Sequence, residues 1–296
     1  MLNLNPKLFR QYGKYFILII VLFVLQASAS LAAIHQDRLN NEQLMQHARL
    51  PFIVNQGQLD RQVLYYAKTF FGAVFVERNG VITYSLPGGK SYQNIMVGDA
   101  VVLKEIFLGG TVDDISPGKP SASQVAYFTG NQPIGWHNNI STYDDISFSG
   151  PYKGIDLKLK AYGDNVEKLF YISPGIDPTT IKIALQGANS LQITKEGLLE
   201  VKTDNGPVRF TAPLAWQKIN GQKKFVEVSY CCLAAANKTP VYGFSTGLYD
   251  HTHTLIIDPV LASTVLGGDS EESGISMALD SAGNIYVCLL YTSDAA

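Results

Sequence analysis

The chain predicts an all-β fold: a β-sandwich-like domain of many short antiparallel strands, followed by a truncated propeller-type repeat. Three observations predict it. Apolar residues alternate with polar ones at period two through most of the chain, the mark of half-buried strands. Turn residues punctuate the alternation at short, regular spacing. The 296 residues include 26 Gly, 13 Pro, 16 Tyr and 14 Phe, a composition suited to tight turns and β-rich packing. The chain is long enough for one or two domains with a sizeable core.

The first 33 residues read as a signal peptide. Lys7, Arg10 and Lys14 supply positive charge ahead of the apolar run Tyr15–Leu25. That run has signal-peptide length and is short for a membrane span. Ala27-Ser28-Ala29 and Ser30-Leu31-Ala32 both offer small-residue cleavage sites. An uncleaved N-terminal anchor is the alternative. Residues 34–50 are polar, with Leu39, Leu44 and Met45 near helical spacing, and predict a linker or short helix.

From Pro51 the period becomes two. Val63–Ala67, Ala73–Val76, Val81–Tyr84 and Val101–Leu108 read as strands. Arg78-Asn79-Gly80 reads as a type I′ hairpin turn, because Asn-Gly tolerates positive φ. Residues 113–120 read as a loop, and Val125–Phe128 as a strand leading into the turn Thr129–Pro133. Ile155, Leu157 and Leu159 alternate with Asp156, Lys158 and Lys160, the cleanest half-buried strand in the chain. Leu169–Ile172 follows, then the rigid double-proline loop Ser173–Pro178. Ile181–Leu185, Leu191–Ile193, Leu198–Val201, Val208–Phe210, Ala215–Ile219, Phe225–Tyr230, Val241–Ser245 and Thr254–Ile257 complete the strands, with a turn at Asn220-Gly221. Many short strands with such turns indicate a sandwich or barrel-like domain over 51–260.

The segment Leu255–Val287 reads as a seam. Proline fixes its own φ and biases Asp258 away from helix, so an extended segment ends or turns at Asp258-Pro259. Beyond it come a strand, the Gly267-Gly268-Asp269 turn, an alternating strand through Ile275, Met277 and Leu279, the turn Asp280–Asn284, and the strand Ile285–Val287. That order is the grammar of one propeller blade. The stretch TVLGGDSEESGISMALDSAGNIYV resembles the opening unit of bacterial SBBP-type β-propeller repeats, with Val265 where that family favours Tyr. Residues 51–260 resemble the uncharacterised β domain that precedes such repeats, through FIVNQGQLDRQVLYYA, VAYFTGNQPIGWHNNISTYDDISF, GIDLKLKAYG, LFYISPGIDPTTIKIALQGA and LIIDPV. The resemblance implies that 261–287 begin the first repeat. Residues 288–296 do not continue the unit. They resemble an in-frame translation of a sequencing adapter, with a divergent natural C-terminus as the alternative. The expectation is that the natural frame runs on into further repeats. Leu108–Asp114 echoes Leu266–Glu272, and is read as shared turn chemistry, not a repeat.

Candidate chemistry is sparse. Cys231 and Cys232 are adjacent, so on a strand they face opposite sides. His251 and His253 would share one face of a strand, as a two-His metal pair requires, with Asp250 or Asp258 as a further ligand. The pattern more often marks polar surface, and no metal site is assigned. The acidic pairs Asp113-Asp114, Asp144-Asp145 and Glu271-Glu272 do not face each other across a substrate as a glycosidase needs. Asp269, Glu271 and Asp280 could hold calcium in an oxygen-rich turn, but hydrogen bonding to turn backbone is the simpler role. Trp136, Tyr143 and Trp216 could line a sugar platform or sit in the core. Asn139 and Asn237 head glycosylation sequons by pattern only. There is no Gly-x-Ser-x-Gly elbow, no phosphate-cradling glycine loop and no Cys-x-x-Cys pair.

With 25 acidic and 23 basic residues, the net charge is −2, which argues against nucleic acid as a partner. The expectation is a non-catalytic module of the bacterial surface or exterior, serving as scaffold or adhesin ahead of a propeller array. Its partner would be a protein or a glycan. It needs no cofactor, and meets the membrane only through its N-terminal segment before cleavage. The alternatives are a carbohydrate-binding or polysaccharide-active protein whose active part lies beyond residue 287, and a periplasmic assembly factor.

Overall fold

A computed structural model describes residues 49–69, 72–86, 90–92, 95–97, 100–128, 136–162, 165–262, 274–279 and 285–289. The segment read as a signal peptide, residues 34–48, and Asp269, Glu271, Glu272 and Asp280 lie outside the described residues. All described elements belong to one compact unit that begins at Arg49. Strands dominate it. Its single helical element among the described residues is the 3-10 turn Pro178–Thr180, where the Asp177 side chain accepts from the Thr179 N–H. No described helix is long and apolar enough to cross a membrane.

Two antiparallel sheets face each other. The nine-stranded sheet runs Thr142–Tyr143, Phe52–Val54, Val63–Thr69, Gly72–Glu77, Ile82–Leu86, Val101–Phe107, Ile183–Gln186, Thr239–Thr246 and Val228–Ala236. The twelve-stranded sheet is centred on Ile155–Tyr162 and Asn165–Ile172, which pair along their full length. Outward from Ile155–Tyr162 lie Asp145–Tyr152 and then Asp114–Pro117. Alternation builds the core between the sheets: Ile155, Leu157, Leu159 and Ala161 are all buried, while Asp156, Lys158 and Lys160 face outward. Across the gap Phe170 meets Phe244 at 5.7 Å between ring centroids, and Phe107 meets Phe148 at 6.3 Å. Such pairs contribute about 0.5–1.5 kcal/mol each beyond the area they bury.

The Asn165–Ile172 strand forks the larger sheet. Residues 170–172 pair with Leu255–Ile257, and residues 165–167 pair with Val260–Ala262. Between them Asp258-Pro259 interrupts the partner, and the Lys168 N–H donates to the Pro259 carbonyl (3.2 Å). Proline has no N–H to continue a ladder, so the chain bends there and the sheet divides. One branch continues to Gly206–Phe210, Leu199–Thr203 and Ser190–Ile193. The other continues to Leu214–Ile219 and the edge strand Gln222–Val226.

Several local expectations change. Arg49–Leu50, read as the end of a linker or short helix, is a short strand paired with Ala161–Tyr162. Asp114–Pro117, read as loop, is a strand that docks on the Asp145–Tyr152 side; a proline is tolerated at such an edge. The Arg78-Asn79-Gly80 turn is not type I′. Gly80 alone carries a positive φ (+85°), and its N–H donates to Glu77 O (3.0 Å). This is a type I turn closed by a glycine bulge. Asn220 and Gly221, at φ +51° and +80°, do form the two-residue type I′ turn. Asn237 and Lys238 form a second, with both residues at positive φ and Ala236 paired to Thr239. Leu261 and Ala262, read as the first residues of the propeller-type repeat, belong to the larger sheet, and Leu261 is buried in the core. Beyond them, Gly274–Leu279 and Ile285–Leu289 pair as an antiparallel hairpin.

Candidate functional site

The branch that ends in Gln222–Val226 carries an exposed aromatic, Phe225. Cross-strand register places Tyr171, Ile256, Trp216 and Phe225 side by side on four successive strands. Neighbours directly opposite one another project to the same face. Here that face is outward: Ala215, Leu255 and Ile257 beside them are buried, whereas Tyr171, Ile256 and Trp216 are half-exposed and Phe225 is 69% exposed. Strands lie about 4.8 Å apart, so the row is roughly 14 Å long. Lys223, two residues from Phe225 and on the same face, sets its ammonium 3.6 Å from the centre of the Trp216 ring and 5.1 Å from that of Phe225. At an exposed site each such contact is worth about 0.5–1 kcal/mol. Lys218 is opposite Lys223 and shares its face. The result is an apolar strip with two cations beside Trp216 and Phe225, and with Asp156 next to Tyr171 at its other end. It offers stacking to rings and attraction to anionic groups.

A second feature is an open cleft of about 610 Å³ where glycines crowd. It is lined by Leu108–Thr111, Asp113, Gly150, Tyr152–Gly154, Thr180 and Lys182. A Cβ on Gly110 would sit 1.8 Å from the Pro151 carbonyl oxygen, so the close backbone approach requires glycine there. The Tyr152 hydroxyl donates to Lys182 O (2.5 Å) and accepts from Lys182 N–H (3.0 Å). Burial pushes this phenol up to about 12, and its two hydrogen bonds to the Lys182 backbone make it a strut between the two sheets.

A family model described as a domain of unknown function, DUF7948, matches residues 52–260. The chain belongs to that family. No curated protein and no solved structure matches it.

Within this DUF7948 domain the residues singled out from sequence do not converge. Cys231 is half-buried and Cys232 exposed on the Val228–Ala236 strand; both are free thiols held above the ordinary cysteine range, chiefly by burial. His251 and His253, read as polar surface or as a metal pair sharing one strand face, lie in the turn before Leu255–Asp258. The buried Gln217 side chain shapes that turn: its amide donates to Asp250 O (2.7 Å) and His253 O (3.0 Å) and accepts from the Asp250 N–H (2.9 Å). His253 Nδ1 contacts Asp250 Oδ2 at 3.1 Å, while the His251 ring lies 4.2 Å from that of Tyr249. Among the described residues no group of three His, Cys, Asp or Glu is placed to hold a metal. Asp145 pairs with Lys158 (3.1 Å) and Asp144 lies 3.9 Å from Lys119. Asp113 lines the cleft, and Asp114 begins an edge strand. Tyr143 packs edge-on to Tyr65 in the nine-stranded sheet, away from the strand that carries Trp216.

The DUF7948 core holds one cluster that the sequence reading passed over. Lys168, from the larger sheet, and Glu105, from the smaller, form an ion pair with both side chains fully buried. The Tyr242 hydroxyl lies 2.9 Å from Lys168 Nζ and donates to Glu105 Oε1 (2.7 Å). The Tyr84 hydroxyl donates to Glu105 Oε2 (2.9 Å). The Phe210 ring centre is 4.5 Å from Nζ. Burial lowers the Lys168 ammonium from its ordinary range against the pull of Glu105, and raises both phenols well above theirs.

Proposed function

We propose that this domain is a non-catalytic binding module of an exported bacterial protein, acting at the cell surface or outside it as a scaffold or adhesin ahead of a β-propeller array. The ligand proposed is an acidic polysaccharide. The outward Tyr171–Ile256–Trp216–Phe225 row with Lys223 above it carries this reading. Aromatic rings stack against the C–H faces of sugar rings, and Lys218 and Lys223 attract their carboxylate or sulfate groups. The antiparallel pairing of Gly274–Leu279 with Ile285–Leu289 supports the propeller part, since a blade requires such hairpins. The signal-like N-terminus supports export.

Binding to a panel of acidic and neutral polysaccharides tests the reading. The wild-type chain should retain acidic polymers, weakening as salt rises. Trp216→Ala and Phe225→Ala should each lower affinity about tenfold, and Phe225→Ala should keep an unfolding midpoint close to wild type because that ring is 69% exposed. Retention of no polymer, or equal retention by both variants, overturns it.

A further inference from the structure

We propose that Lys168 and Glu105 condense to a side-chain amide that ties the two sheets together covalently. The pair bridges strands of opposite sheets, Asn165–Ile172 and Val101–Phe107, across a core from which water is excluded. Replacing the ions by an amide removes two buried charges, whose desolvation is the main cost of any buried ion pair. Amine and carboxyl are held together by the fold, and intramolecular reactions of well-oriented groups reach effective concentrations of about 10⁵–10⁸ M.

The four polar groups divide the chemistry. In the apolar pocket a proton passes from Lys168 Nζ to Glu105 Oε1, leaving a neutral amine and a carboxylic acid. The amine lone pair attacks Glu105 Cδ, forming the N–C bond, and the C=O electron pair moves onto Oε2. The Tyr84 hydroxyl already donates to that oxygen (2.9 Å) and stabilises the charge it gains. The Tyr242 hydroxyl touches both the nitrogen (2.9 Å) and Oε1 (2.7 Å). It accepts a proton from the nitrogen and passes its own to Oε1. The Cδ–Oε1 bond then breaks, the carbonyl re-forms at Oε2, and one water leaves. Ammonium and carboxylate go to amide and water, with no oxidant or cofactor. The link would span 63 positions of sequence in a domain whose described cysteines, Cys231 and Cys232, are both free thiols. It stands independently of any ligand for the outer face.

The test is the intact mass of the purified full chain under denaturing conditions, where an ion pair separates and an amide persists. The expected result is a mass lower by one water than sequence predicts, calibrated on Lys168→Arg prepared in parallel. A branched peptide joining the segments around 105 and 168 should appear on digestion. Glu105→Ala should show neither. Tyr242→Phe should form the link at least about tenfold more slowly after refolding. Wild-type chain at its full sequence mass, with no branched peptide, overturns the proposal. Link formation in Tyr242→Phe at the wild-type rate overturns the relay assigned to Tyr242.

Discussion

Replacing Asp258 by Asn should make the domain more stable at alkaline pH. Asp258 sits at the fork of the larger sheet, 9% exposed, and its Oδ1 is buried without a hydrogen-bond partner. Burial, and next the neighbouring Glu167, raise its carboxyl from an ordinary 3.8 to about 7, against the opposing pull of Lys160 and Lys223. Because the folded-state value lies above the unfolded one, the folded protein binds the extra proton between about pH 4 and 7. Stability contributed by this group is therefore full below pH 4, falls as pH rises through that window, and is gone above 7. The gap of about three pH units, at 1.36 kcal/mol each, sets a ceiling of about 4 kcal/mol. Lys160 and Glu167 beside it are half-open to water, and screening brings the expected penalty to about 2 kcal/mol. Asn cannot ionise, and its amide can donate to Glu167. In urea titrations Asp258→Asn should match wild type near pH 4 and exceed it by about 2 kcal/mol near pH 8. A variant less stable than wild type at pH 8, with an unchanged pH slope, would refute the argument.

Other substitutions isolate single causes. Gln217→Leu removes three hydrogen bonds to the Asp250–His253 turn; it should cost about 2–3 kcal/mol and speed amide hydrogen exchange there selectively. Gly221→Ala and Gly110→Ala separate strain from collision. At Gly221 (φ +80°) there is open space, so alanine should cost about 1–2 kcal/mol in a denaturant titration. At Gly110 the new methyl meets the Pro151 carbonyl at 1.8 Å, and the variant should not yield folded protein. The thiols of Cys231 and Cys232 should react with iodoacetamide several-fold more slowly than a free thiol at neutral pH and accelerate as pH rises, because both are held above the ordinary range.

Period-two alternation made the strands legible, since burial on one face is a local property. Ile155, Leu157 and Leu159 are inward as their spacing implies. The same rule also exposed Lys168 and Glu105, had parity been followed through. Val166, Lys168, Phe170 and Ile172 occupy one face, as do Val101, Leu103, Glu105 and Phe107, so an inward charge of each sign was visible in two strands. That the two meet was not visible, because it depends on which strands end in opposite sheets. Strand order is a long-range property: Thr239–Thr246 joins Ile183–Gln186, and Trp216 gains its aromatic row through Leu255–Asp258, pairings no local pattern encodes. The turn that holds His251 and His253 lies before the strand as its sequence suggests, but the residue that fixes it, Gln217, is distant in sequence and no local pattern names it.

The forked strand also sets a schedule. Asn165–Ile172 receives both branch partners from residues 255–262, nearly the last stretch of the domain to be synthesised. The smaller sheet is late too, since Ile183 finds its second neighbour only in Tyr242. Pairings this distant in sequence are slow to form. A chain emerging N-terminus first can make early hairpins such as Val63–Thr69 with Gly72–Glu77, but the smaller sheet cannot be completed until residue 246 is free, nor the larger until residue 262 is. Such a nascent chain lacks both finished sheets for most of its synthesis. A channel that threads polypeptide in single file would meet a substrate whose topology postpones its own folding.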